Sequence, residues 1–150
     1  MGNAIIAGVG MTRFGKHLDT GLKALGREAL LAAIEDAGID KSQLEAAYVG
    51  NAMAGLITGQ ECIRGQVVLR SAGIGAIPVI NVENACASAS TAFHQASTMV
   101  AAGVYDVVLA LGVEKLYHQD KTRSFKAIGS AVDTEEMAAI VEGLKKSAAA

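Results

Sequence analysis

Residues 78–90 read Pro-Val-Ile-Asn-Val-Glu-Asn-Ala-Cys-Ala-Ser-Ala-Ser. The β-branched run predicts a strand, the polar pair Glu83-Asn84 predicts a tight turn, and the small residues that follow predict a helix. Cys86 then falls in the first turn of that helix, where unpaired N–H groups and the positive end of the helix dipole stabilise a thiolate. The pattern therefore makes Cys86 a candidate nucleophile, and Asn84 is expected to cap the helix through its side-chain oxygen.

The helix that follows the turn consists almost entirely of small residues. From Ala85 to Gly103 the side chains are mostly Ala, Ser and Thr, and Phe93, Met99 and Val100 are the large apolar exceptions. A helix that is small on nearly every face packs closely against neighbours on all sides. We therefore expect this helix at the centre of the molecule, partly covered by other polypeptide.

A structural role is the alternative for any single cysteine, because free cysteines are often small buried hydrophobes. Cys62 also competes with Cys86, since it lies near the start of a helix predicted over residues 61–72. No buried strand precedes Cys62, however. The sequence therefore favours Cys86 as the nucleophile and a structural or incidental role for Cys62.

Strand and helix patterns alternate along the chain. Apolar runs predict strands over residues 4–9, 46–50, 78–83 and 105–113, while periods of three and four residues predict helices over 21–37, 61–72 and 85–103. Residues 51–60 are predicted to form a loop, residues 115–130 are mixed and polar, and a last helix is predicted from Thr134 to Leu144. This alternation predicts an α/β fold with a largely parallel sheet and helices on both faces.

Composition narrows the class of protein. The chain has 150 residues, of which 51% are hydrophobic and 19% charged, with a formal net charge of -2. Scattered positive charge argues against nucleic acid and anionic membranes as partners. Without an apolar run of ~20 residues or a signal-like N-terminus, we expect a cytoplasmic protein with no membrane association. Two cysteines without metal-binding spacing predict free thiols and no metal site.

Two segments resemble a known family. Asn84 to Ser90, which read Asn-Ala-Cys-Ala-Ser-Ala-Ser, resemble the nucleophile motif of the thiolase superfamily. Residues 8–16, Gly-Val-Gly-Met-Thr-Arg-Phe-Gly-Lys, resemble the N-terminal signature of its sterol-carrier-protein-related branch, which includes lipid-transfer-type thiolases and acetyl-CoA acetyltransferases. A departure is Ala89, where related sequences more often have glycine.

The resemblance implies a thiolase-like, layered αβαβα fold with a mixed, largely parallel sheet, of which this chain is the N-terminal half. Residues 1–115 are then that half without its fifth strand, residues 116–150 begin the loop domain, and the C-terminal half is absent.

The resemblance also implies a chemistry. Cys86 would carry an acyl group as a thioester in CoA-dependent acyl transfer, either 3-ketoacyl-CoA thiolysis or the reverse Claisen condensation. Coenzyme A would be a substrate, no cofactor would be bound permanently, and the Cys86 N–H would contribute to an oxyanion hole. The family's activating histidine and second cysteine have no counterpart here. Along one helix His94 would lie ~12 Å from Cys86, and His17 and His118 fall in predicted loops, so no catalytic histidine is assigned.

Other functions remain open. The chain is alternatively a thiolase-like aldolase or condensing relative, a non-catalytic thiolase-like subunit of a complex, or an α/β domain with two inert thiols. The resemblance further implies a homodimer or higher homo-oligomer that pairs through the strand at residues 78–83, and a zinc-bearing OB-fold accessory subunit as a partner.

Overall fold

A computed structural model describes residues 2–148 of the chain. Within this range, helices α1 to α6 cover Leu22–Ala37, Ala54–Thr58, Arg64–Ser71, Ser88–Ala101, Lys121–Gly129 and Met137–Ala148. Strands β1 to β3 cover Ala46–Gly50, Val79–Val82 and Val108–Gly112. Two short 3-10 turns lie at Lys41–Gln43 and Ala85–Ala87. Three predicted strands and all four predicted helices are thus confirmed, with shifts of a few residues at their ends.

The sheet has the order β2-β1-β3, and both pairings are parallel. Gly50 at the end of β1 is paired with Val82 on one side and with Gly112 on the other. The carboxyl ends of all three strands therefore meet at one edge of the sheet. Ligands of open parallel sheets bind at this edge.

Helices cover both faces of the sheet, as predicted. One core packs α1 and α3 against the sheet and is centred on Leu30, Val49, Val68 and Leu69, each at most 1% exposed. The other core packs α4 against the opposite face through Ala92 and Ala96, beside Tyr48 and Val82. The arrangement is helix layer, sheet and helix layer, and it confirms the predicted α/β class.

The strand predicted over residues 4–9 is wrong, because these residues pair with no strand of the sheet. Ile5, Ile6 and Val9 are 64–86% exposed. The segment instead begins with the Gly2 N–H donating to the Ala101 oxygen, and it passes close to the backbone of α1 at Gly8 and Gly10. An apolar run gives strand propensity only, whereas a strand also requires an edge with which to pair.

Two other segments contain more structure than expected. Residues 51–60 include the short helix α2, and the polar stretch 115–130 includes α5. Their helices pack against each other, with Arg123 Nη2 donating to the Ile57 oxygen at 2.8 Å. Neither has a long apolar period, because each buries few side chains. No helix in the described range is long and apolar enough to cross a membrane.

The helix α4 lies unusually close to the sheet at its first turn. A Cβ atom built on Gly50 would lie 2.5 Å from the Ser88 carbonyl group and 2.6 Å from the Ala89 nitrogen. A Cβ atom on Gly112 would lie 2.5 Å from the Ala89 methyl group. Because β1 and β3 end in glycine, the first turn of α4 can lie this close to the sheet.

Replacing Gly50 with Ala is expected to destabilise the fold by about 1–3 kcal/mol, since the new methyl group meets backbone that cannot rotate away. The midpoint of thermal unfolding should fall by several degrees, at about 2–4 °C for each kcal/mol. Circular dichroism during heating measures the shift. Gly75→Ala is the control, because a Cβ atom there meets nothing within 4 Å; equal midpoints for the two variants would contradict the close approach of α4.

Candidate active site

Cys86 lies in the turn that joins β2 to α4, at the carboxyl edge of the sheet. It occupies the 3-10 turn Ala85–Ala87, which continues directly into α4 at Ser88. The residue is exposed. The predicted strand, turn and helix around this cysteine are therefore confirmed, and they present the thiol at the start of a helix, a geometry suited to a nucleophile.

The backbone of this turn is strained and firmly held. Ala85 has φ of 44°, in the left-handed region that a residue with a Cβ atom seldom adopts. Such a conformation costs about 1–3 kcal/mol and persists only where the surroundings fix it. The Glu83 carboxylate accepts from the Ala85 N–H at 2.6 Å, which fixes one side of the turn.

Ser88 fixes the other side of the turn from within the protein. Its hydroxyl accepts from the Asn84 N–H at 2.9 Å and donates to the Ala85 oxygen at 2.7 Å, and the residue is 4% exposed. The prediction that the Asn84 side chain caps the helix is wrong: its Nδ2 donates to Thr91 Oγ1 at 2.9 Å. The Ser88 hydroxyl supports the turn because Ser88 is buried at the start of α4, within hydrogen-bond distance of the backbone of Asn84 and Ala85.

The amide N–H of Cys86 forms no hydrogen bond with any residue between 2 and 148. First-turn amides of a helix have no intrahelical acceptor, so such a group is available to an external oxygen. The thiol and this N–H belong to the same residue. An acceptor that approaches the sulfur can therefore also reach a hydrogen-bond donor.

A cleft of about 540 Å³ lies beside the turn. Ala52 and Met53 form one part of its lining, Glu83, Asn84 and Ala85 a second, and residues 130–133 a third. Its two acidic residues already accept hydrogen bonds from backbone: Glu83 from Ala85, and Asp133 from Glu135 and Glu136. These carboxylates hold the walls of the cleft in place.

The other candidate residues lie apart from any helical first turn or serve local structure. Cys62 is exposed in the segment between α2 and α3, where its carbonyl accepts from Gln60 Nε2 at 2.7 Å. His94 is exposed on α4. The His17 ring bonds to the Arg13 oxygen, and the His118 ring accepts from the Asp120 N–H. From residue 2 to residue 148, no group of three or more His, Cys, Asp or Glu side chains is placed to hold a metal ion.

A cationic cluster lies where the chain leaves the sheet and approaches α5. The ammonium of Lys121 lies 3.4 Å from the centre of the Tyr117 ring, and that of Lys16 lies 5.8 Å away. A hydrogen bond from Lys121, supported by the charge of Lys16, lowers the pKa of Tyr117. The cluster fixes the beginning of the segment that carries α5.

Comparison with known proteins identifies the family. The model of the thiolase N-terminal domain matches residues 4–147. The chain belongs to the thiolase family. An acetyl-CoA acetyltransferase of Methanocaldococcus jannaschii is 44% identical over 135 residues, which are 90% of this chain and 34% of that protein. Sterol carrier protein 2 of Gallus gallus is 39% identical over 113 residues, covering 74% of this chain and 20% of that protein.

A solved structure agrees in fold. The Ltp2-ChsH2(DUF35) aldolase matches with a TM-score of 0.57 and 32% identity, over 71% of this chain and 26% of that one. The resemblance to thiolases and the thiolase-like fold are thereby confirmed. This thiolase chain spans about a third of the length of the acetyltransferase. It spans 26% of the aldolase chain and 20% of sterol carrier protein 2.

Two residues at the carboxyl edge were not indicated by any sequence motif. Glu114 lies two residues after the end of β3, and its carboxylate accepts from the backbone N–H groups of Ala52 and Met53. Asn51 follows β1 and is 4% exposed. The available signal was their position, since each is the first strongly polar residue after a buried strand.

Alkylation with iodoacetamide at neutral pH should modify Cys86 about two to five times faster than Cys62, because helix dipoles contribute about 0.3–1 kcal/mol to an anion in the first turn. Both cysteines are exposed, so access does not favour either one. Single-cysteine variants Cys62→Ala and Cys86→Ala, followed by mass spectrometry, give the two rates separately. Equal rates, or faster labelling of Cys62, would remove Cys86 as the nucleophile.

Proposed function

We propose that Cys86 is the acyl-carrying nucleophile of a CoA-dependent, thiolase-type acyltransferase. The observation that carries this proposal is an exposed thiol in a strained turn at the carboxyl edge of a parallel sheet. The free N–H of the same residue supports it, because a donor at that place stabilises the oxyanion of an acyl-transfer intermediate. The name of the acetyl-CoA acetyltransferase that shares 44% identity supports coenzyme A thioesters as substrates.

The proposed reaction proceeds in two steps. In thiolysis, the Cys86 thiolate attacks the 3-keto carbonyl carbon of a 3-ketoacyl-CoA, the bond between C2 and C3 breaks, and C2 takes a proton as acetyl-CoA leaves. The thiol of free coenzyme A then gives its proton to the general base and attacks the enzyme thioester, which releases the shortened acyl-CoA and regenerates the thiolate. The reverse order of these steps is a Claisen condensation.

The proton transfers at C2 require a general acid and base. Cys62 lies in the segment between α2 and α3, and His94 is exposed on α4. The rings of His17 and His118 bond to nearby backbone. We therefore propose that groups outside residues 2–148 supply this function, in agreement with the expected division of the chain into an N-terminal thiolase half over 1–115 and the start of a loop domain over 116–150. That division stays a prediction, and so does the cytoplasmic location.

The helix α4 supports the same proposal. Its buried residues Ser88, Ala92 and Ala96 face the sheet, whereas Phe93 and His94 on other faces are exposed. The expectation of close neighbours on every side is thus met on one side only within residues 2–148. We propose that further thiolase polypeptide covers the outer face of α4.

A thiolase-like aldolase is the second candidate. The observation that favours it is the similarity to the Ltp2-ChsH2(DUF35) aldolase at 32% identity. The same similarity supports the proposal of an accessory subunit, which the sequence resemblance predicts to be a zinc-bearing OB-fold protein. In a non-catalytic thiolase-like subunit, by contrast, Cys86 would accept no acyl group.

Incubation with acetyl-CoA should add one acetyl group to Cys86. Exchange between a thiol and a thioester breaks no carbon–carbon bond, so it requires only the thiolate and the oxyanion donor. Intact-protein mass spectrometry and peptide mapping measure the product. Cys62→Ala should be acylated like the wild-type chain and Cys86→Ala should not. An unmodified wild-type chain would favour the non-catalytic subunit.

We further propose that thiolase chains pair along β2. This strand is an edge of the sheet, with β1 on one side, and Val79 and Ile80 are only half-buried. An unpaired strand edge presents a row of hydrogen-bonding groups to a second strand. Light scattering of the intact protein at micromolar concentration should give the mass of a homodimer or larger homo-oligomer. Asn81→Pro, which removes one donor from the edge, should lower that mass; a monomeric wild-type protein would contradict the pairing.

A further inference from the structure

The carboxylate of Glu114 binds the segment that joins β1 to α2. Its Oε2 accepts from the Ala52 N–H at 3.1 Å and the Met53 N–H at 2.9 Å, and its Oε1 accepts from the N–H of Lys115 at 3.0 Å. Hydrogen bonds to a charged group contribute about 1.5–3 kcal/mol each. One side chain thereby determines where two successive backbone amides lie.

Asn51 holds this carboxylate in place. Its Nδ2 donates to the Val113 oxygen at 2.6 Å and to Glu114 Oε1 at 3.3 Å. Its own N–H donates to the Val82 oxygen at 3.1 Å, so this buried residue links the ends of all three strands. Asn51 thus fixes the position of the Glu114 carboxylate at the same sheet edge that carries Cys86.

The hydrogen bonds to the Glu114 carboxylate exclude a role for this residue in proton transfer. Four donors occupy the acceptor positions of the Glu114 carboxylate, which leaves none free for a substrate proton. Any effect on chemistry must therefore pass through the backbone that Glu114 holds. That backbone, Ala52 and Met53, lines the cleft together with residues 83–85, which lead into the turn that carries Cys86, the cysteine turn.

We propose that Glu114 is a positioning residue for acyl transfer: it fixes the Ala52–Met53 wall against which the acyl-CoA lies when Cys86 attacks. This inference rests on the proposed function. Displacement of a cleft wall by about 1 Å is enough to slow a reaction by up to about 100-fold, because the reacting atoms no longer meet in a productive geometry.

The chain offers a matched control at the opposite edge of the sheet. Glu45 lies immediately before β1, and its Oε2 accepts from the N–H groups of Asp106 and Val107, the latter at 3.2 Å. Glu45→Ala therefore also releases two backbone amides from a carboxylate, but far from the cysteine turn. Glu114→Gln is the conservative variant, since its remaining oxygen can still accept from Ala52 and Met53.

The experiment measures the second-order rate of Cys86 acylation by acetyl-CoA in the full chain, with iodoacetamide alkylation of Cys86 in parallel. Glu114→Ala should slow acylation about tenfold, and Glu114→Gln should restore it to within about threefold, in line with the effect of misplacing a cleft wall. The rate of Cys86 alkylation should change by less than about twofold in either variant, because the small reagent reacts with the thiol without contacting the Ala52–Met53 wall. Glu45→Ala should leave both rates near those of the wild type.

Hydrogen exchange tests the contact itself. Glu114→Ala should accelerate exchange of the Ala52 and Met53 amides and leave those of Asp106 and Val107 unchanged, while Glu45→Ala should do the reverse. Wild-type acylation in Glu114→Ala, or equal slowing in Glu45→Ala, would overturn the positioning role alone. A wild-type chain that accepts no acetyl group would overturn the proposed function, and the positioning role with it.

Discussion

The contact between the first turn of α4 and the ends of β1 and β3 controls the geometry of this thiolase chain. Gly50 and Gly112 carry no side chains, so the backbone of Ser88 and the methyl group of Ala89 lie directly against the sheet. This contact sets the height of Cys86 above the carboxyl edge. It also gives Ala89 a structural meaning, because its methyl group occupies the space that Gly112 leaves open.

Carboxylates and a buried hydroxyl then fix the irregular backbone around that contact. Glu83 and Ser88 hold the strained turn, and Glu114 holds the segment after β1. Loops at the carboxyl edge of a parallel sheet have backbone amides without ladder partners, and a fixed acceptor satisfies them without adding a further strand. The acids near Cys86 therefore support the walls of the cleft, and in the proposed function the chemistry belongs to the thiol and to its own N–H.

The sequence alone determined the helix–strand alternation, the parallel sheet and the position of Cys86. These are local properties: a β-branched run, a polar pair and a set of small residues each restrict the backbone over a few residues. The 84–90 motif also carried enough information to indicate the family, which the match over residues 4–147 confirms. The amphipathic period from Leu22 to Ala37 likewise predicted α1, and Gly38 ends it in the left-handed conformation with φ of 63°.

Only the tertiary structure decided which groups meet over long separations in the chain. The apolar run at residues 4–9 lies against α1 without joining the sheet, because strand formation depends on an available edge as well as on propensity. Ser88 displaced Asn84 as the support of the cysteine turn because burial brought its hydroxyl beneath Ala85. Glu114 reaches Met53 across 61 residues of sequence. Such contacts follow from the packing of α4 and from the strand order. A local pattern of residues predicts neither the packing nor the strand order.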